Sequence, residues 1–236
     1  MQTSPQVAPQ SPTLYENLLR GYRFRVCPDT ESVTRALDVR RLVYLAECGY
    51  HLPVPDAYDS RSWFLLAEHV ASGKAVGSMR ITPRAEGPLE AEEYFELPAS
   101  LRSRDVVECT RFAVLPDHRN SRRFLPVVAL GLYKLAVLFV RQLGATDVVI
   151  CSKPERAWAY QWLAFTPTGL TAQYTKLAGT EHELMTADVR DGMLKHRDHR
   201  YWQFVFDIDH PEITVPRRAP QTGLDPTRVV PMRRSA

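Results

Sequence analysis

The chain lacks the features that mark secreted, membrane-spanning and disulfide-rich proteins. Its four cysteines are scattered with no C-x-x-C pair, a pattern typical of reduced, buried thiols. The longest apolar stretch, Leu125–Val140, is interrupted by Pro126 and Lys134 and is too short to span a bilayer. The first residues show no basic start followed by an apolar run, so we expect no signal peptide and a cytoplasmic location.

Most of the chain also lacks an excess of positive or negative charge. The formal net charge is +3, and residues 211–236 account for it with five arginines against two acids. A neutral body excludes the basic face of a nucleic-acid binder, so no nucleic-acid partner is expected. Composition predicts a disordered tail over 1–20, a single domain over 21–210 and a Pro/Arg-rich loose tail over 211–236. Contact of the last segment with a membrane would be peripheral at most.

Hydrophobic periodicity predicts an α+β protein with a mixed sheet, because antiparallel strands come first and a strand–helix–strand–helix order follows. Strands are predicted at 22–27, 63–68, 75–82, 105–114, 146–151 and 201–207. Helices are predicted at 31–47, 122–143 and 154–163.

Charged and polar residues interrupt several stretches that otherwise have the pattern of a core. They are Arg40 and Tyr44, then Asp56 and Asp59, then Arg80, then Glu108 and Arg111. Isolated buried charges are costly unless they are paired or used. We therefore expect one shared polar pocket rather than four unrelated sites. Arg40 lies on the apolar stripe of its predicted helix and is expected to contact Asp59 or Glu108.

Short motifs around these residues occur in a recognisable order. They are Arg40–Tyr44 with Glu47–Tyr50, the D-x-Y-D of Asp56–Asp59, the G-S-x-R of Gly77–Arg80 and the E-x-x-R-F of Glu108–Phe112. Over residues 30–165 this order resembles the GNAT acyltransferase fold. It resembles most the branch that contains acyl-homoserine-lactone synthases and bacterial long-chain N-acyl amino acid synthases.

The resemblance implies a fold and an activity. The fold would be an α/β/α acyl-CoA N-acyltransferase fold, with splayed central strands in a mostly antiparallel sheet and helices on both faces. The activity would be transfer of a medium or long fatty acyl group from acyl carrier protein to the amine of an amino acid. Tyr50 stands where the lactone synthases usually have tryptophan, which favours the amino acid. The alternatives are a lactone synthase using S-adenosylmethionine, an acyltransferase with another acceptor, and a binding module without turnover.

The resemblance also implies roles for single residues. Glu108 would be the base or would orient the amine, and Arg80 or Arg111 would remain free for the acceptor's carboxylate. Arg40 and Asp59 are assigned to the catalytic set, and Asp56, Tyr44 and Phe112 to substrate binding. Tyr160 would protonate the leaving thiolate or would be only a packing residue. Since Glu108 and Arg111 are three residues apart, a β-bulge near Cys109–Thr110 is needed to bring them to one side.

The loop before the long helix departs from the pattern of coenzyme A-using relatives. Residues 117–123 contain no glycine, so a backbone cradle for a pyrophosphate is not expected. An acyl carrier protein has one phosphate on its pantetheine arm and an acidic helix beside it. Arg119, Arg122 and Arg123 would suit both, unless they form a solvated basic turn.

The acyl chain is expected between the long helix and the splayed strands. Phe112, Leu132, Leu135 and Phe139 are candidate lining residues, although core packing explains them equally. Acyl-carrier protein is the expected donor, coenzyme A the less favoured one, and no cofactor or metal is expected. His196 and His199 fit a surface better than a metal site.

Overall fold

The strands of the computed structural model include five of the predicted strands and three further segments. They are β1 (Tyr22–Val26), β2 (Trp63–His69), β3 (Lys74–Pro83), β4 (Val106–Val114), β5 (Asp147–Ser152), β6 (Thr166–Tyr174), β7 (Thr180–Asp188) and β8 (Ile213–Thr214). The structure describes residues 19–119, 127–189, 204–205, 209–220 and 222. Over these residues the strands form one sheet in the order β6-β7-β5-β4-β3-β2-β1-β8.

The centre of the sheet contains a parallel pair that is short. The pairs β1–β2, β2–β3, β3–β4, β5–β7 and β6–β7 are antiparallel. β4 and β5 run parallel, and their pairing is limited to Val106–Glu108 against Asp147–Val149. Beyond these three pairs the two strands separate. The sheet therefore opens in its middle, between the second halves of β4 and β5.

In the described part of the chain, three α-helices of a full turn or more flank the sheet. They are α1 (Thr30–Arg40), α2 (Val127–Gln142) and α3 (Ala157–Trp162). α1 begins with a capping box, in which Asp29 accepts from the Ser32 N–H at 2.8 Å. α2 is apolar on nearly every face and its Leu132, Leu135 and Phe139 are fully buried. Gly131 lets the Phe24 ring approach, since a Cβ there would lie 2.2 Å from Cζ of that ring.

A π-helical segment, Arg41–Glu47, continues α1 without a break. The wider π-helical turn is visible at its end, where the Cys48 N–H donates a hydrogen bond to the Val43 carbonyl, five residues earlier, at 2.9 Å. Single π-turns are frequent at functional sites because they redirect side chains. Here the segment directs Tyr44 towards β4, where its hydroxyl donates to the Phe112 carbonyl at 3.3 Å.

The predicted α+β class and the mixed, mostly antiparallel sheet with splayed central strands are confirmed. The hairpin of β6 and β7 was not predicted. The prediction of a strand at 201–207 is wrong at Phe204 and Val205, because these two residues are helical. The other residues of that range lie outside the described part. The predicted disordered tail over 1–20 also lies outside the described part, except for its last two residues.

The tail expected to be loose from residue 211 is ordered at its start. Ile213–Thr214 form β8, which pairs parallel with β1. The Trp63 indole donates to the Pro220 carbonyl at 2.8 Å, and the Phe24 N–H donates to the Glu212 carbonyl at 2.7 Å. The composition of the segment was misleading because an edge strand tolerates prolines close to it. In the part of the chain that the structure describes, no helix is long and apolar enough to cross a membrane.

Candidate functional site

A cavity of about 200 Å³ lies at the point where β4 and β5 separate. Polar and aromatic side chains line it from both halves of the chain. They are Tyr44, Glu90, Thr110, Arg111, Phe112, Tyr133, Ser152, Lys153, Arg156, Tyr160, Tyr174 and His182, together with Met79, Cys109, Ile150, Cys151 and Leu177. Four residues predicted for the site are therefore on its wall: Tyr44, Arg111, Phe112 and Tyr160.

A second cavity, of about 70 Å³, adjoins the first and is apolar. Both cavities are lined by Met79, Cys109, Tyr133, Ile150 and Tyr160, so these side chains form a common wall. The helix side of the apolar cavity comes from Ala136, Val137 and Val140 of α2. Leu132, Leu135 and Phe139 line neither cavity and pack in the core, which is the second of the two interpretations that the sequence left open.

A network of buried ion pairs forms the base of the polar cavity. The predicted contact between Arg40 and Asp59 is present, with Nη1 of Arg40 2.9 Å from Oδ1 and Nη2 bonded to Oδ2. Both side chains are 1% exposed. Asp59 also accepts from the Asp56 N–H at 2.7 Å, so the D-x-Y-D turn is closed on itself. The alternative contact of Arg40 with Glu108 does not occur in the described hydrogen bonds.

The expectation that Arg80 or Arg111 remains free is wrong. Arg80 donates to Asp56 at 2.5 Å, to Asp59 at 3.1 Å and to Glu90 at 2.5 Å. Arg111 donates to Asp56 at 3.1 Å and to Glu90 at 2.5 Å. Glu90, which the sequence did not single out, is thus the third acid of the network.

Charges in this network balance, since Arg40, Arg80 and Arg111 face Asp56, Asp59 and Glu90. Burial raises the pKa of Asp56, but the three arginines outweigh it and hold that pKa at about 2. The acids raise the pKa of Arg111 further above its usual range despite burial. Each of the three arginines therefore forms ion pairs with at least two of the three acids.

Glu108 lies behind the network and does not line the cavity. It is fully buried, and its two oxygens accept from the backbone N–H groups of Glu90 and Ala91 at 2.8 and 3.0 Å. Burial and the nearby Glu90 carboxylate raise the pKa of Glu108 to about 7. Its observed contacts anchor the segment that carries Glu90, which is a different task from the predicted contact with the amine.

The predicted bulge is present, one to two residues later than expected. Thr110 pairs with Arg80 and Ala113 pairs with Ser78, so Arg111 and Phe112 together oppose Met79. Arg111 has a φ of 54°, in the left-handed region that a non-glycine residue adopts only when other contacts hold it there. The bulge turns Arg111 to Glu90, whose backbone also meets Glu108, so both residues reach the same segment.

Tyr160 lies on the wall between the two cavities. Its ring meets the Tyr133 ring edge-on with centroids 6.3 Å apart, and Tyr133 stacks on Phe112 at 5.1 Å. Burial raises the pKa of Tyr160, opposed by a hydrogen bond with Tyr133. Its hydroxyl therefore stays protonated and is a donor at neutral pH.

The basic turn before α2 is described only in part. Arg119 donates through Nε to the Val114 carbonyl at 2.6 Å and forms an ion pair with Glu47. Its donors are thus used inside the protein rather than left for a phosphate. Arg122 and Arg123 lie outside the described residues, as do His196 and His199. Within the described ranges, no group of three histidine, cysteine or acidic side chains is placed to hold a metal ion.

Several residues of the polar cavity carried no signal in the sequence. They are Glu90, Lys153, Arg156, Tyr174 and His182. Glu90 belongs to an acidic loop in which any of several carboxylates fits equally well. His182 and Tyr174 are contributed by β7 and β6, and only the recognition of that hairpin would have placed them near the site.

The known proteins that the chain matches have the same architecture. A family model described as N-acyl amino acid synthase FeeM matches residues 36–188. The chain belongs to the FeeM family of N-acyl amino acid synthases. It is therefore an acyltransferase, and family membership assigns it an acyl donor and an amine acceptor. Among curated proteins, no sequence matches this FeeM family member significantly.

Solved structures of related enzymes share the GNAT fold of this FeeM family member. The CoA-dependent acyl-homoserine lactone synthase BjaI, solved with SAM and isopentyl-CoA, is 19% identical with a TM-score of 0.61 over 82% of this chain and 92% of that one. FeeM from uncultured soil microbes is 16% identical, with a TM-score of 0.56 over 73% of this chain and 95% of its own. TofI, solved with an inhibitor and MTA, is 17% identical with a TM-score of 0.56 over 79% and 97%. These matches establish the fold class that the motifs predicted.

Proposed function

We propose that the protein transfers a medium or long fatty acyl group from acyl carrier protein to the α-amine of an amino acid. The observation that supports this most directly is the pair of adjoining cavities at the opening of the sheet. One is polar and takes a charged acceptor, and the other is apolar and takes a hydrocarbon chain. A thioester carbonyl at their common wall would face both.

The common wall supplies the groups that acyl transfer needs. The bulge leaves Arg111 and Phe112 outside the regular ladder, so backbone N–H groups near Phe112 to Val114 are the proposed donors to the tetrahedral oxyanion. Tyr160 is the proposed acid for the leaving thiolate, since its hydroxyl is protonated and lies on this wall. The Arg40–Arg80–Arg111 network keeps the bulge and Tyr44 in place.

The carrier protein is proposed as donor because the loop before α2 has no glycine. A pyrophosphate cradle needs backbone that approaches the phosphates closely, and residues 117–123 offer side chains instead. Arg122 and Arg123 would pair with the single phosphate of the pantetheine arm and with acids of the carrier protein. Arg119 would first have to exchange Glu47, a partly exposed pair of the kind that contributes little.

The test is a product assay with the full chain. Acyl carrier proteins loaded with chains of different length, and the same chains on coenzyme A, are offered with all twenty amino acids or with S-adenosylmethionine. Mass spectrometry identifies the products. We expect an N-acyl amino acid, formed faster from the carrier protein than from coenzyme A. A lactone would support the alternative of an acyl-homoserine-lactone synthase, and carrier-protein binding without any product would support a binding module.

Tyr160→Phe is the informative variant, with Trp158→Phe as its matched control on the same helix. Trp158 is 68% exposed and does not line either cavity. Loss of an acid that protonates a leaving group costs about 10²-fold in rate. We expect that loss in Y160F, and a rate for W158F equal to that of the wild type. Equal rates for both variants would show that Tyr160 only packs.

A further inference from the structure

His182 is a buried histidine on the wall of the polar cavity, 6% exposed. It lies on β7 opposite Ala172 of β6, and its ring centroid is 4.5 Å from that of Tyr174. Nδ1 is 3.0 Å from the Thr180 carbonyl oxygen. A carbonyl only accepts hydrogen bonds, so Nδ1 carries the proton in the neutral ring and Nε2 carries the lone pair. No hydrogen bond to Nε2 occurs among the described residues.

The other titratable groups at or near the cavity are engaged elsewhere or keep their protons. Glu108 has a pKa of about 7, but it does not line the cavity. Glu90 is held by two arginines, and Glu108 is held by two backbone N–H groups away from the cavity wall. Burial raises the pKa of the Cys109 thiol to about 12, and burial likewise raises the pKa of Tyr174. An acyltransferase still needs an acceptor for the proton that leaves the amine. Among the described lining residues, His182 has the free lone pair for this task.

The surroundings of His182 keep the ring neutral. Burial is the main cause that lowers its pKa, and the Lys153 ammonium lowers it further. The hydrogen bond to Thr180 and the Glu155 carboxylate oppose this effect without cancelling it. Tyr174 is the aromatic neighbour on β6, and its phenol is uncharged at neutral pH.

The same end of the cavity has two further groups that suit a polar ligand. Lys153 lines the cavity, and no ion pair of its ammonium is found among the described residues. The Tyr174 hydroxyl is buried and has no oxygen or nitrogen partner among the described residues. Its neighbour is the Cys151 thiol, which forms only weak hydrogen bonds. A buried hydroxyl without a partner is costly, so a ligand that supplies one is favoured here.

We propose that Nε2 of His182 is the proton acceptor for the incoming amine and that Lys153 pairs with the carboxylate of the same acceptor. An α-amino acid carries both groups on one carbon, which matches two neighbouring side chains. The proposal rests on the proposed function, because it assumes an amino acid as acceptor.

The proposed step balances as follows. His182 takes one proton from the α-ammonium, and the nitrogen lone pair forms a bond to the thioester carbon. The C–S bond then breaks, the second proton of the nitrogen reaches the thiolate by way of Tyr160, and the products are an amide and a free thiol. The proton on His182 leaves to solvent, which restores the neutral ring. No oxidant, reductant or metal is required.

The pH dependence of kcat/KM tests the base. The probe is the amino acid found in the product assay, and the variant is His182→Gln with the exposed His51→Gln as control. In the wild type and in H51Q, kcat/KM should fall as pH drops through the pKa of His182, because a protonated ring accepts no proton. In H182Q that limb should be absent, the rate at pH 7 should drop about 10²-fold, and added imidazole should restore part of it.

An NMR titration of ¹⁵N-histidine-labelled full chain supplies a readout that does not depend on the variant. It should show a proton on Nδ1 and a pKa equal to the midpoint of the wild-type limb. A different midpoint, or an unchanged limb in H182Q, would overturn the role of His182. If H182Q fails to fold, the comparison of the two midpoints alone decides.

Lys153→Met tests the carboxylate site, with the decarboxylated amine of the same amino acid as second probe. KM for the amino acid should rise about tenfold or more, and KM for the amine and for the acyl donor should not change. An equal effect on both acceptors would overturn the assignment of Lys153, and an effect on donor KM alone would assign it to the phosphate of the donor. Should the product assay yield another class of amide, the amino acid acceptor would be wrong, while loss of the acid limb in H182Q would still support the base.

Discussion

Three guanidinium groups are held out of water at the base of the polar cavity. Arg40 and Arg80 are 1% and 0% exposed, and Arg111 is 7% exposed. The desolvation of such groups costs several kcal/mol each, and it is offset only while every charge keeps its partners. The residues of the network are therefore less replaceable than surface ion pairs, even where they do not touch the substrate.

Arg40→Met and Arg41→Met form a matched pair of substitutions at neighbouring positions. Arg40 holds Asp59 in the interior, whereas Arg41 forms a partly exposed pair with Asp38 at a spacing of three residues. We expect R40M to lower the free energy of unfolding by about 3 kcal/mol, because the Asp59 carboxylate loses its bidentate partner. R41M should cost less than about 1 kcal/mol.

Urea denaturation at pH 7 measures both values. Similar losses in the two variants would contradict the argument, since they would show that burial of the Arg40–Asp59 pair does not matter. A normal slope of free energy against urea in both variants is the check that each still unfolds in one step.

At the scale of single residues, the sequence predicted which charged side chain finds an ion-pair partner better than it predicted which one stays unpaired. Arg40 was placed near Asp59 because a cation on an apolar stripe must find an anion, and the structure confirms that contact. The same reasoning left Arg80 or Arg111 unpaired, because Glu90 has no neighbours in sequence that distinguish it from Glu92 or Glu93. A partner that comes from a loop is fixed by the path of the chain, which periodicity does not encode.

Among the elements, regular strands and helices were predictable and their irregular parts were not. The helix predicted at 31–47 exists, but its second half is π-helical, and no residue pattern marks that change. β6 was missed because Pro167 and Gly169 interrupt it and its register shifts between Pro167 and Thr171. Such residues weaken a strand signal and are tolerated here because β6 is an edge strand.

The apolar cavity under α2 makes a prediction about acyl chain length. Val137 lines this cavity, whereas its neighbour Leu138 does not. Val137→Phe should fill part of the space and lower kcat/KM for the longest accepted chain, by tenfold or more relative to shorter chains. Competition between acyl carrier proteins of two chain lengths, followed by mass spectrometry, measures the ratio.

Leu138→Phe adds the same ring one position along the helix and is the control. Its product ratio should equal that of the wild type. A shift of equal size in both variants would indicate a general disturbance of α2, and an unchanged ratio in V137F would place the acyl chain elsewhere.

For the whole molecule, residues 211–220 are part of the folded body. A chain ending at Pro211 would lose β8, the Glu212 carbonyl that caps Phe24, and the Pro220 carbonyl that accepts from Trp63. These lost hydrogen bonds lower stability by about 3 kcal/mol, which corresponds to about 9 °C in Tm for a protein of this size.

A chain ending at Thr222 keeps every described contact of the tail and is the control. Differential scanning calorimetry of the two truncated chains and the full chain gives the three Tm values. Equal Tm values for all three would show that β8 contributes nothing to stability. A large loss of Tm in the chain that ends at Thr222 would assign the effect to residues beyond 222.

The overall class of the molecule was predictable because four separate motifs kept their order over more than half of the chain. The ordered start of the tail was not, because its composition resembles that of a linker. A two-residue parallel strand also depends on an open edge at β1, which appears only once the sheet is assembled.

The three-pair ladder between β4 and β5 has a consequence for how the enzyme could diversify. Residues before β5 build the charged base, and residues on β5, α3, β6 and β7 supply the end of the cavity assigned to the acceptor. Because so few hydrogen bonds join the two halves at this point, the second half is a natural unit of exchange between relatives. Grafting residues 150–189 from one synthase onto the first half of another would then exchange the acceptor end of the polar cavity, together with Ile150, Tyr160, Leu163 and Phe165 of the apolar cavity, while leaving the interior ion pairs unchanged.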